Sequence, residues 1–296
     1  MEWLVIALIA VISPVLLFTL KSRWLDKKPY NPHSKTGCSS PNCMRCGAID
    51  YQLLHLKLQQ FIKLTNSQEH LTNLYQVLDN IVKNDGITVK NASPCTLQCP
   101  TSLYLPYILT QPWYTLATNH PLMQDIQILQ ENLYLIRDDY YAAQTFSKGW
   151  CHNQEKEGSW TLFYLYNQGH KVVENCQICP QTTQLIDHQL RHFMRGNVFG
   201  NACFSKIIPS TKIAPHYGPC NYRIRCHLTL HTPSQCSLKV GNETRQWVDG
   251  QCLLFDDSYL HSVQHDSNDQ DRVILLIDLW HYQLSPVERQ ALNFII

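Results

Sequence analysis

His216, His261 and Arg272 are the residues of this chain whose types and spacing can do chemistry together. His216 lies in Pro215-His216-Tyr217-Gly218-Pro219-Cys220-Asn221-Tyr222-Arg223-Ile224-Arg225-Cys226-His227-Leu228, and His261 closes Phe255-Asp256-Asp257-Ser258-Tyr259-Leu260-His261. Each segment borders an alternating, β-like run. Two imidazoles about 45 positions apart on such runs can meet across the mouth of a β-barrel and hold one metal ion. An arginine eleven residues beyond the second histidine can return on the next strand. Its planar fork suits bidentate capture of a carboxylate.

Metal plus carboxylate is the layout of iron(II) oxygenases that consume 2-oxoglutarate. Such sites commonly use two histidines and one carboxylate on one face of the ion, leaving positions for cosubstrate and oxygen. The first histidine usually opens a His-x-Asp/Glu motif, yet the residue two after His216 is Gly218, which cannot ligate. Two readings stay open: a water takes the vacant place, or the site is dead. Under the first, Gly218→Asp is expected to leave iron binding unchanged or tighter and to lower turnover. Histidines are numerous, fourteen in all, and His227, His231, His265 and His281 each also read as structural. Arg223, Arg225 and Arg272 lie on strand segments, where solvent-facing charge is the ordinary reading and anion capture the functional one.

The elements that must position these groups come from the second half of the chain. Short β runs at Ala202–Ile208, Tyr222–Leu230, Cys236–Val240, Gln251–Phe255 and Val273–Leu279 are separated by turn signals, among them Gly241-Asn242 and Asp249-Gly250. That pattern predicts a mainly β, double-sheet jelly roll. Trp160–Tyr166 reads as a further strand. Helices are expected from Ile126 through Tyr140 and over Thr182–Met194, and a helical hairpin over Tyr51–Val82 with Leu53, Leu54, Leu56, Leu58, Phe61, Ile62 and Leu64 on its apolar face.

Bulk properties narrow the partners. The chain has 296 residues, 44% of them hydrophobic, and a net charge of +1. It can bury a sizeable core, and no global basic field argues for nucleic acid. Trp3 to Leu20 is uncharged and almost wholly apolar, at the low end of what spans a bilayer, and is expected to be an uncleaved anchor. Lys21, Arg23, Lys27 and Lys28 follow it and would keep the remainder cytosolic. Thirteen cysteines and the Asn242-Glu243-Thr244 sequon argue for an oxidising lumen instead. Asn91-Ala92-Ser93 is a weaker sequon, since Pro94 follows. Cys38, Cys43 and Cys46 can form a zinc site with His33 or His55, or a local disulfide. Cys95 can pair with Cys99; Cys176 and Cys179 form a C-x2-C that can be redox-active but, with no βαβ pattern around it, reads first as a structural disulfide or free thiols. The expected organisation is an anchor over 1–21, a juxtamembrane linker with a cysteine cluster over 22–50, a helical and loop region over 51–111, and the catalytic domain over 112–296.

Several stretches resemble one known family. Trp160-Thr161-Leu162-Phe163-Tyr164-Leu165-Tyr166-Asn167-Gln168-Gly169, Gly196-Asn197-Val198-Phe199-Gly200-Asn201-Ala202-Cys203, the segment from His216 to Leu228, Leu253 to His261, and Asp278-Leu279-Trp280-His281 are similar to the aspartyl/asparaginyl β-hydroxylases. More narrowly, these stretches and Cys38 to Cys46 resemble the aspartate β-hydroxylase domain-containing proteins. The resemblance implies a double-stranded β-helix of jelly-roll or cupin-like type with flanking helices, and a single-pass anchor with the catalytic part in the endoplasmic reticulum lumen. It implies Fe(II) held by His216 and His261 alone, with no protein carboxylate, so that Gly218 is in keeping with the family. It further implies that Ser205, Arg225, His227 and Arg272 hold the cosubstrate 2-oxoglutarate. The reaction it implies is hydroxylation of the β-carbon of Asp or Asn in a protein or peptide substrate, EGF-like domains among the candidates. The repeat-helical region with which the best-known family member presents substrate has no counterpart in this sequence. A catalytically degenerate fold serving as a membrane-anchored binding or scaffold protein is the rival reading.

Overall fold

Strand alternation decides which side chains reach the site. The computed structural model describes residues 49–84 and 95–296. Within them run β1 (Trp113–Tyr114), β2 (Trp150–Gln154), β3 (Ser159–Asn167), β4 (His170–Lys171), β5 (Ala202–Ile207), β6 (Lys212–His216), β7 (Arg223–His231), β8 (Cys236–Val240), β9 (Glu243–Gln246), β10 (Cys252–Phe255), β11 (His261–His265) and β12 (Arg272–Trp280). The larger sheet has the order β1-β10-β7-β12-β5-β3-β2, with β4 on β3, and the smaller has β6-β11-β8-β9. Neighbouring strands in both sheets pair antiparallel.

Successive residues of a strand face opposite sides of its sheet. Cys203, Ile207, Ile274 and Leu276 of the larger sheet share a core with Cys236, Leu238, Val240 and Val263 of the smaller one. The two sheets therefore pack face to face. Their neighbours Ala202, Phe204, Ile224, Cys226, Leu275 and Ile277 face the other way and form a second core. Helices α3 (Met123–Glu131), α4 (Leu133–Thr145), α5 (Val173–Ile178) and α6 (Pro180–His188) cover that side. The larger sheet is thus buried on both faces, and β12 is buried along its whole length. The protein is mainly β, with flanking helices, as expected.

The hairpin over Tyr51–Val82 is present as α1 (Tyr51–Thr65) and α2 (Thr72–Lys83). Asp50 caps α1 by accepting from the Leu53 N–H, and Asn66 ends it in the left-handed region at φ 50°. Its apolar face is narrower than expected. Leu54, Leu58, Phe61 and Ile62, spaced at three and four residues, pack against Leu292 and Ile295 of α7 (Pro286–Ile295). Leu53, Leu56 and Leu64 fall outside that stripe and are exposed.

Other boundaries also move. The helix expected from Ile126 to Tyr140 is two, broken at Asn132. The one expected over Thr182–Met194 begins at Pro180, whose fixed φ suits a first turn, and stops at His188. Cys176 and Cys179 sit in this region as buried thiols with no disulfide. Burial pushes both thiol pKa values up, the opposite of a redox-active pair. The anchor expected at Trp3–Leu20, the cluster Cys38, Cys43 and Cys46, and the sequon at Asn91 lie outside the described residues. No helix among the described residues is long and apolar enough to cross a membrane.

Candidate active site

The smaller sheet brings the two histidines together. β6 and β11 pair so that His216 and His261 are direct cross-strand partners, with ring centroids 4.1 Å apart. Each Nδ1 lies within hydrogen-bond distance of the carbonyl two residues earlier. The distance is 2.8 Å from His216 to Ala214 and 2.9 Å from His261 to Tyr259. A carbonyl only accepts, so each Nδ1 carries the proton and each Nε2 keeps its lone pair. That is the tautomer a metal ligand needs, fixed by the backbone. His261 is buried, and burial and the adjacent His216 push its pKa down to about 4. Its imidazole stays neutral at physiological pH. His216, by contrast, is exposed, so the pair opens to solvent on one side.

The larger sheet supplies the second half of the site. Arg272 opens β12 and is almost wholly buried, yet no carboxylate of the described residues pairs with it. Its Nη1 lies 3.4 Å from the Ser205 carbonyl on β5, its Nε has no partner, and its guanidinium sits 4.9 Å from the Trp247 ring centroid. Burial pulls its pKa down to about 10, with the Cys236 thiol opposing, so it remains a cation at neutral pH. A buried cation without a counter-ion is costly, and an incoming anion would relieve it.

Beside it, on β7, His227 accepts a hydrogen bond at its Nδ1 from the Trp247 indole N–H, 3.3 Å away. Its Nε2 is buried without a partner. Burial, then Arg272, hold its pKa well below the ordinary histidine value. An unpaired arginine and an unpaired ring N–H in one interior are donors awaiting acceptors. Phe255 of β10 ties the halves together, its ring 5.0 Å from His227 and 5.8 Å from His261.

Arg225 behaves differently from Arg272. Its Nε donates to Asp278 at 2.9 Å, and its Nη1 lies 3.2 Å from Asp257. Arg223, also buried, pairs with Asp257 through Nη2 and reaches Asp278 through Nη1 at 3.5 Å. Neither is the solvent-facing charge that the strand pattern suggested for them. Burial opposes ionisation of Asp257, but Arg223 and Arg225 hold its carboxyl well below the carboxylate range. Asp257 also explains Gly218. A Cβ at position 218 would collide with the Asp257 carboxylate. The position two after the first histidine is therefore empty of side chain because an ionised carboxylate from the loop before the second histidine fills that space. Gly218→Asp cannot simply add an acid; it must first evict Asp257.

Ser205, His227 and Arg272 thus face the interior between the two sheets, where His227 and Arg225 lie within electrostatic reach of His261 and Arg272 neighbours Trp247 and Cys236. Of the other histidines, His231 is exposed beside Asp249 and His281 is buried against Tyr114 and Tyr282. His265 is fully buried at the far end of β11, opposite Cys236. His55, a possible zinc ligand by sequence, stacks on Tyr75 near Asp79. Asp257, Asp278, Phe255 and Trp247 carried no assigned role in the sequence. The two aspartates stand within the family-like stretches, where their charge beside Arg223 and Arg225 was the available signal.

The residues fit the groups expected of them. Two imidazoles with free Nε2 atoms suit a first-row divalent metal, and the orphaned Arg272 Nε and His227 Nε2 suit a carboxylate. No cluster of three or more His, Cys, Asp or Glu placed to hold a metal ion occurs among the described residues.

Comparisons with known proteins point the same way. A family model described as "Aspartyl/Asparaginyl beta-hydroxylase" matches residues 130–282. The chain is 38% identical over 270 residues to "Aspartate beta-hydroxylase domain-containing protein 2" of Homo sapiens, covering 87% of this chain and 70% of that protein. It is 34% identical over 187 residues to "Aspartyl/asparaginyl beta-hydroxylase" of Mus musculus, covering 62% of this chain and 25% of that protein. Among solved structures, an oxidoreductase of the 2OG-Fe(II) oxygenase family from Burkholderia pseudomallei aligns with a TM-score of 0.38 at 13% identity, over 60% of this chain and 98% of that one.

Proposed function

Because the chain belongs to the aspartyl/asparaginyl β-hydroxylase family, we propose that it is an Fe(II)- and 2-oxoglutarate-dependent dioxygenase that hydroxylates the β-carbon of Asp or Asn side chains in protein substrates. The observation that carries this reading is a pair of tautomer-fixed histidines and a buried arginine without a counter-ion among the described residues, on the two facing sheets. The strand order supports the double-stranded β-helix reading: β5, β7, β10 and β12 lie in one sheet and β6, β8, β9 and β11 in the other.

Iron(II) and 2-oxoglutarate, when bound, supply the oxidation, in which dioxygen ends as one oxygen in succinate and one in the new hydroxyl, with loss of carbon dioxide. The chain supplies position and charge. His216 and His261 present lone pairs already aimed by their backbone hydrogen bonds. Arg272 neutralises a carboxylate in an interior where water does not compete, and His227 donates to the same group. Asp257, ionised in the loop that leads to His261, fills the space that a side chain at Gly218 would take and places negative charge beside His261. Phe255, Trp247 and Ile274 keep the surroundings dry.

Succinate release from 2-oxoglutarate, measured with iron(II) and candidate Asp- or Asn-containing peptides, tests the activity. Binding tests the site: Arg272→Ala is expected to weaken 2-oxoglutarate by about 2–5 kcal/mol, with Lys recovering only part. Unchanged affinity in the Ala variant removes Arg272 from the site. Binding of metal and 2-oxoglutarate with no peptide-dependent succinate would favour the degenerate, scaffold reading. The same proposal places the catalytic domain in the endoplasmic reticulum lumen behind an N-terminal anchor, with EGF-like domains as candidate substrates. In support, Asn242 is exposed beside Gly241, which turns β8 into β9 at φ 59°. A glycosidase-sensitive mass on Asn242, absent from Asn242→Gln, is the expected result; digestion of the domain by protease in sealed microsomes would overturn it.

A further inference from the structure

Trp247 follows β9 directly and turns its ring into the space between the sheets, where it is 4% exposed. It touches both orphaned donors of the site. The His227 ring lies nearly parallel to it, at 18° with centroids 6.1 Å apart, and the Arg272 guanidinium lies 4.9 Å from its centroid. Its indole N–H donates to His227 Nδ1 at 3.3 Å.

An indole nitrogen can only donate, so the ring nitrogen it meets must be an acceptor. His227 is fully enclosed among two arginines, and a neutral imidazole carries one proton. That proton is then on Nε2, the atom left without a partner. In the other tautomer two N–H groups would confront each other at Trp247, and a lone pair would confront the bound carboxylate. We propose that Trp247 is a positioning residue: its indole N–H locks His227 in the Nε2–H tautomer and, with its ring face, sets His227 and Arg272 as paired donors for one carboxylate. This rests on the oxygenase reading for the identity of that carboxylate, but not for the tautomer.

The experiment uses the full chain with ring-¹⁵N histidine, the His227 signals being assigned by their loss in His227→Gln. In the parent, His227 is expected to show a single tautomer protonated at Nε2. Trp247→Phe keeps a ring for Arg272 but removes the N–H donor, and is expected to give mixed tautomers. The 2-oxoglutarate Kd, measured by calorimetry with manganese(II) to prevent turnover, should rise roughly tenfold, the scale of one hydrogen bond to a charged group. In the His227→Gln background, where an amide replaces the tautomer, Trp247→Phe should change Kd only about twofold or less. Trp247→Tyr serves as a second variant should Phe leave the core too loose to fold. An unaltered His227 tautomer, or an equal loss of affinity in both backgrounds, overturns the proposal. A parent that does not bind 2-oxoglutarate, with the tautomer still shifting in Trp247→Phe, sinks the oxygenase reading and upholds the coupling.

Discussion

Two arginine environments share one interior and are opposite in kind. Arg223 and Arg225 stand against Asp257 and Asp278, two cations with two anions, and their hydrogen bonds are spent on the protein itself. Arg272 has a thiol, a distant carbonyl and a ring face, and no carboxylate. All three come from the larger sheet, so the contrast is not one of location. A closed charge network holds a loop in place, here the loop carrying Asp257 into His261. An open charge, on the proposed reading, waits for an external anion to complete it.

The largest expected effects come from breaking each environment in turn. Arg223→Ala leaves Asp257 and Asp278 short of a buried partner and is expected to destabilise by about 3–5 kcal/mol. Arg272→Met removes a buried cation that had no partner and replaces it with apolar volume. It is expected to leave stability unchanged or slightly raised while abolishing 2-oxoglutarate binding. Urea unfolding of both variants separates the cases. Equal destabilisation would mean that Arg272 is structural after all.

Next in size is Gly218→Asp, which strikes the seam between the network and the metal pair. The new side chain and Asp257 cannot share the space. Displacing Asp257 breaks its pairing with Arg223 and overpacks the loop, a cost of at least about 1–3 kcal/mol. A lowered melting temperature together with weakened metal binding is therefore expected, in place of the unchanged or tighter binding that the sequence pattern alone suggests. A stable variant with tighter metal binding would show that Asp257 moves aside freely.

What was legible in the sequence divides along the same line. Short β-rich runs between turn signals exposed β5, β7, β8, β10 and β12, whose side chains are largely buried. The strands that carry the metal pair were not visible. β6 is mostly exposed, and β11 mixes His261, Ser262, Gln264 and His265 around a single Val263. α7 was missed despite its capping box of Ser285 and Glu288 and Pro286 in its first turn. His216, His261 and Arg272 stood out by type and spacing, because chemistry demands those types. Asp257 and Trp247 act through other residues, and nothing in their own position along the chain says which neighbour they will serve.

The smallest effects are in pH, and they distinguish the two environments by window. His227 has a folded pKa below its ordinary 6.5, so below that pH the unfolded chain binds a proton that the folded chain refuses. Stability then falls as pH drops from 6.5, by at most about 1.4 kcal/mol per pH unit for this one group. Asp257 has a folded pKa below its ordinary 3.8. Its contribution is complete above that value and is lost only as pH falls beneath it. The open pocket should thus weaken in mild acid and the closed network in strong acid. Urea unfolding across pH in the parent, His227→Gln and Asp257→Asn resolves them. His227→Gln is expected to flatten part of the limb below pH 6.5, leaving the shares of His261, His265, His281 and His120, whose pKa values are also depressed. Asp257→Asn is expected to be weaker at neutral pH and to lose the limb below 3.8. Were His227→Gln to leave the mild-acid limb as steep as in the parent, His227 would be accepting a proton in the folded state. The pocket would then hold two cations beside each other, and its open charge could not be the arginine alone.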